Sequence, residues 1–144
     1  MNSPLSGTVL CFDFGLARTG VAVGNTLTRS AEPLEIIRAT SNDARWAAVE
    51  QLIREWEPVF FVVGVPRHPD GAAGELTARC ERFARQLAGR FGRPAYTADE
   101  RYSSAVVEDG SGEKIDDLSA AIILQQFFDE DAAAEAATSG NQVE

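Results

Sequence analysis

Two short runs of the chain are apolar at nearly every position rather than at every second one: residues 9–14, VLCFDF, and residues 59–65, VFFVVGV. A strand with one wet face alternates, so an unbroken run marks a strand covered on both faces, as parallel strands in α/β sheets are. Between them, GLARTG at 15–20 turns the chain, VAVG at 21–24 begins a second strand, and EPLEIIRA at 32–39 supplies a third. These connections are too short for a crossover, which predicts antiparallel pairing of the first strands. From residue 41 the period changes. Ser41, Asn42 and Asp43 are N-cap candidates, and Trp46, Val49, Leu52, Ile53 and Trp56 recur at helical spacing until Pro58. The 59–65 strand is reached through that helix and is therefore expected to run parallel to the first.

A turn-rich loop, PRHPDGAAG at 66–74, follows. A second helix is predicted over 75–91, with Leu76, Cys80, Phe83, Ala84 and Leu87 on one face, ended by Gly89 or Gly92 and Pro94. A strand at 94–98 delivers Asp99, Glu100 and Arg101; residues 102–108 are expected as a short helix. A final helix is read over 115–128, its inner face carrying Leu118, Ala121, Ile122 and Phe128, with Ser119 and Ala120 allowing close approach to the sheet. The segment after it has little apolar bulk and is expected to fray. The chain thus reads as one α/β domain over 1–131 with an acidic tail at 132–144. The order β-β-β-α-β-α-β-α excludes dinucleotide-binding and flavodoxin-like folds, which alternate from the start, and fits a ribonuclease H-like mixed sheet flanked by helices.

That topology makes one carboxylate conspicuous. Asp13 closes an otherwise apolar strand, where an ionised group is costly unless something pairs with it, at the C-terminal edge where open α/β sheets place ligands. It reads either as a cap of the following turn or as a ligand. In a ribonuclease H-like sheet, Glu100 after the last strand and Asp116 at the start of the last helix come to the same edge. Taken singly, Glu100 reads first as a partner of Arg101 or a neighbouring surface Arg, and Asp116 or Asp117 as a helix N-cap or first-turn acid. Together three carboxylates repel unless cations sit among them, and Mg²⁺ or Mn²⁺ suits an all-oxygen set. Arg18, Arg101 and Lys114 are the candidate bases for a substrate phosphate.

Composition changes this picture little. The net charge of −9 falls entirely on residues 108–144: acidic and basic side chains balance through residue 107, after which Lys114 is the one base. Every other basic residue is Arg, whose planar fork suits phosphate, although most of those between 67 and 101 fit a solvated helix face. Cys11 and Cys80 lack metal-site spacing and are expected as reduced, buried thiols. His68, the only histidine, sits in a turn with no nucleophile beside it, so no hydrolase triad is expected. No Walker A or Rossmann signature is present. No apolar run is long enough to span a bilayer, and the N-terminus has no signal-like core, so a cytoplasmic protein is expected.

Four ordered blocks carry a resemblance: DFGLARTGVAVG (13–24 with its preceding strand), VVGVPRHPDG (62–71), DERYSS (99–104) and KIDDLSAAIILQ (114–125). In that order and spacing they resemble the YqgF family, also called RuvX, over about residues 9–129. The resemblance implies a divalent-metal-dependent ribonuclease H-like nuclease, with Asp13, Glu100 and Asp116 at the family's acidic positions and Arg18 at its basic loop position. It implies processing of the 5′ end of pre-16S rRNA as the activity, with a Holliday junction resolvase acting on DNA, or a non-catalytic RNA-binding module of ribosome assembly, as alternatives. A monomer or homodimer is expected. Two departures stand out: Leu16-Ala17 replaces a commonly polar or basic pair, and the connection from Glu100 to Asp116 is shorter by about ten residues than in relatives.

Overall fold

The computed structural model describes residues 6–67, 74–101 and 118–141. Its elements are β1 (Thr8–Asp13), β2 (Arg18–Asn25), β3 (Ser30–Arg38), α1 (Asn42–Trp56), β4 (Phe60–Arg67), α2 (Glu75–Phe91), β5 (Ala95–Arg101) and α3 (Ser119–Asn141). The order is the expected one. The sheet runs β3-β2-β1-β4-β5, so β1 is the central strand. It pairs antiparallel with β2 and parallel with β4, and β5 continues parallel to β4.

Alternation along the strands divides the core into two layers. Leu10 and Phe12 of β1, and Phe14 just after it, join Phe61, Val63 and Val65 of β4 beneath α1 and α2, where Trp46, Val49, Leu52, Phe83 and Leu87 complete the packing. Phe83 anchors this layer, stacked on Trp46 at 5.1 Å and edge-on to Phe12 at 5.6 Å between ring centroids. On the opposite face Val9, Cys11, Ala22 and Val62 meet Ala120, Ile123, Leu124 and Phe128 of α3. The unbroken apolar run of β1 follows directly: both its faces are covered.

The helix ends obey local chemistry. Ser41 caps α1 by accepting from the Ala44 N–H at 3.1 Å, and the helix stops at Glu57, which takes the left-handed conformation before Pro58. Gly92, at φ 67°, closes α2 as a residue without a Cβ can. The Gly74 N–H donates to the Thr77 hydroxyl, which in turn donates to the Pro66 carbonyl, tying the start of α2 to the end of β4.

The last helix differs most from its expectation. Leu118 and Ile122 are 52% and 54% exposed, while Ala120, Ile123, Leu124 and Phe128 are buried. The reason lies in the sheet. A Cβ at Gly64 would stand 2.7 Å from Ile123 Cδ1, and one at Gly24 would stand 2.8 Å from Leu124 and 2.9 Å from Phe128. Two glycine notches therefore receive one particular stripe of the helix and fix its rotation. Gln125 locks the same seat: its side chain donates to the Arg29 carbonyl at 3.0 Å and accepts from the Ala31 N–H at 3.3 Å. The backbone also stays helical to Asn141, past the point of expected fraying, through a segment rich in the strong helix formers Ala and Glu. Trp56, assigned to the inner stripe of α1, is 37% exposed at its last turn.

Gly64→Ala is expected to destabilise the protein by about 1 to 3 kcal/mol through overpacking. Ile123→Val, which removes the offending methyl, is expected to restore most of that loss in the double variant, read by urea denaturation. Gly24→Ala should resist such relief, because its Cβ would also meet the Ser30 carbonyl at 2.7 Å.

Candidate active site

Asp13 is the last residue of β1 and lies half-buried at the C-terminal edge of the central strand. Its parity is that of Val9 and Cys11. Its partner in register across β2 is Gly20, which contributes no side chain of its own beside the carboxylate. Arg18 begins β2 and is half-buried, so the turn is tighter than expected and Arg18 belongs to the strand. It extends past the end of β1 and pairs in register only with Arg38 of β3.

Glu100 lies within β5, which runs to Arg101 instead of ending at residue 98; Glu100 is opposite Pro66 and Arg101 opposite Arg67. Parallel pairing with β4 carries the strand on, each ladder bond fixing the next residue. Phe12, Val63 and Thr97 are level across the three strands. From that line Asp13 is one residue onward and Glu100 three, at the same edge. On an untwisted sheet the separation is two strand spacings across and two residues along, about 12 Å between Cα atoms. Asp116, Lys114, His68, Asp70 and the helix expected over 102–108 lie outside the described residues. Among the described residues, no group of three His, Cys, Asp or Glu side chains is gathered as a metal site. The register brings two acidic positions, 13 and 100, to this edge, and both cysteines are buried and outside any disulfide. Carboxylate ligands fit a hard, oxygen-seeking cation.

A profile of the RuvX family, described as Holliday junction resolvase, matches residues 7–130. The chain belongs to the RuvX family. Relatives agree with this along most of their length. A protein of Ralstonia pickettii (strain 12J) is 50% identical over 131 residues, covering 90% of this chain and 92% of its own. One of Polaromonas sp. (strain JS666) is 54% identical over 121 residues, covering 84% and 87%. Both are named "Putative pre-16S rRNA nuclease". Among solved structures, T. thermophilus RuvC in complex with a Holliday junction substrate superposes with a TM-score of 0.53 at 14% identity, over 88% of this chain and 96% of that one. This likeness shows that the chain has a ribonuclease H-like fold. No helix among the described residues is long and apolar enough to cross a membrane.

Sequence reasoning passed over one residue that shapes this edge. Arg45, on α1, is buried, with its guanidinium 5.1 Å from the centre of the Phe14 ring. It donates to the Leu16 carbonyl at 2.6 Å and to Asn42 Oδ1 at 2.7 Å. A cationic side chain in an amphipathic helix reads as solvated surface; the one available signal was its place next to Trp46, on the buried side of α1.

The Asp13 carboxylate makes itself felt on α2. Burial, then the negative charges of Asp13 and Glu81, push the Cys80 thiol up from 9.0 to about 12. The fold therefore keeps Cys80 protonated while the unfolded chain ionises near pH 9. The associated stability is complete below pH 9 and is lost as pH rises toward 12. Urea denaturation across this alkaline range is expected to show the fall, and Cys80→Ala to flatten it.

Proposed function

We propose that this chain is a divalent-metal-dependent endonuclease that hydrolyses phosphodiester bonds in structured nucleic acid, with the 5′ end of pre-16S rRNA as substrate. The observation that carries the reading is Asp13: a half-buried carboxylate at the mouth of a strand covered on both faces, with Glu100 brought to the same edge by β5. Membership of a nuclease family and the names of relatives about half identical in sequence support the activity and favour RNA.

In this reading Asp13, Glu100 and Asp116 hold Mg²⁺ or Mn²⁺. Bound there, a divalent cation would supply water activation and charge neutralisation at the leaving oxygen. Carboxylates at one edge repel one another, and such a cation would relieve that repulsion. Arg18, at the open end of β2, binds a non-bridging phosphate oxygen by its planar fork, and Arg101 and Lys114 extend the cationic contact along the strand being cut. Asp13 is oriented by sheet pairing on one flank and kept from rotating freely by burial, which reduces the reorganisation needed when substrate arrives. A second reading, cleavage of a four-way DNA junction, rests on the family's description as Holliday junction resolvase.

A cleavage assay offering both an RNA spanning the pre-16S 5′ end and a DNA junction, with Mn²⁺ or Mg²⁺, tests this reading. Asp13→Asn is expected to lower the rate at least about 100-fold, more than the loss of a single positioning contact, with its melting temperature unchanged or raised. Equal cleavage by the variant would overturn the assignment. Arg18→Gln is expected to weaken binding to either substrate and to reduce the slope of log affinity against log salt by about one.

A further inference from the structure

The loop between Asp13 and Arg18 is held by its carbonyl oxygens. The Gly15 carbonyl accepts from the Thr19 hydroxyl at 3.4 Å, the Leu16 carbonyl from Arg45 Nη2 at 2.6 Å, and the Ala17 carbonyl from the Ala39 N–H at 3.3 Å. Three successive carbonyls are thus drawn into the fold, and the contact to Leu16 is the shortest and the only charged one. Its donor is 5% exposed, half-enclosed by the Phe14 ring and steadied by Asn42 from the first turn of α1.

Burying a guanidinium is unfavourable on balance. An apolar side chain of similar volume serves stability as well or better, and what a buried charge contributes in its place is a defined geometry. The geometry defined here is that of Arg18. Asp13 is fixed by β1, which is paired on both flanks and in register with Gly20. Arg18 has no β1 residue beside it and pairs only with the edge strand β3. Its placement relative to Asp13 is therefore set by the pairing of β2 with β3 together with the path of residues 14–17 that joins the two strands.

We propose that Arg45 is a positioning residue, which sets where Arg18 stands relative to Asp13 by clamping the Leu16 carbonyl from α1. The proposal rests on the nuclease reading for what Arg18 does and on the hydrogen bonds alone for how it is placed. It also gives Leu16-Ala17 a role. The outward side chains at these positions carry no charge, and the loop contributes through its backbone instead of through contacts of its own with phosphate.

The test is a double-variant cycle of Arg45→Met and Arg18→Gln, read on kcat/KM for the same RNA and junction with Mn²⁺, and on the dissociation constant of each substrate without metal. Arg45→Met alone is expected to lower kcat/KM about tenfold, in the same parameter as Arg18→Gln, and to add less than about twofold in the Arg18→Gln background, since both act on one contact. Amide exchange at Ala39, whose N–H is bound to the Ala17 carbonyl, should quicken in Arg45→Met while exchange in β1 and β4 stays as in the parent. Asn42→Ala, which releases only Nη1, should show a smaller loss with the same non-additivity, and serves if Arg45→Met does not fold. Equal factors in both backgrounds, or a folded Arg45→Met protein with parental kcat/KM and affinity, would overturn the positioning role and leave the nuclease reading standing. A parent protein that binds RNA without cleaving it would overturn the nuclease reading, and the cycle on dissociation constants would then decide the role of Arg45. A parent that neither cleaves nor binds would overturn both.

Discussion

The central strand is enclosed on four sides. β2 and β4 pair with its edges, α1 and α2 seal one face and α3 the other. A strand so confined lets polar side chains approach solvent only at its ends, Thr8 at the start and Asp13 at the carboxyl end. Asp13 is fixed by register with Gly20 of β2 and by the packed layers on either face of the strand that leads to it, so the carboxylate is delivered to one point with little freedom. The rest of the candidate site is arranged around that point: β5 brings Glu100 along the same edge, and the β1–β2 loop returns the chain to Arg18.

Most of this arrangement was visible in the pattern of apolar positions. The contrast between unbroken and periodic runs separates strands from helices, and connection length separates antiparallel from parallel pairing. The bounds of α2 were legible because Pro and Gly bracket a clean helical stripe. The phase of α3 was not. In LSAAIILQQFF apolar side chains occur all round the helix, so periodicity offers several inner faces. The choice among them is made by Gly24 and Gly64, residues in other elements and distant in sequence, whose missing side chains accept Leu124, Phe128 and Ile123. Local reading saw the small residues of the helix and overlooked those of the sheet.

The site shows the same division. Asp13 stood out because a charge in an apolar strand has a cost that needs a cause. Glu100 was found, but in a strand three residues longer than its own composition suggests, since DER carries no β-forming signal and owes its extended form to pairing with Val65, Pro66 and Arg67. Arg45 was missed altogether. Its burial depends on the carbonyl of Leu16, 29 residues earlier, and no spacing rule reports a side chain meeting a backbone oxygen across that distance.

Among the described residues one face of the sheet is covered by α3, the last element described. During synthesis the N-terminal part emerges first. β1 to β5 and the first two helices can assemble one packed layer while Val9, Cys11, Ala22, Phe60 and Val62 on the opposite face remain open to water. The nascent protein therefore carries an uncovered apolar surface until α3 has been translated, and the bonds from Gln125 to the Arg29 carbonyl and the Ala31 N–H close that layer only then.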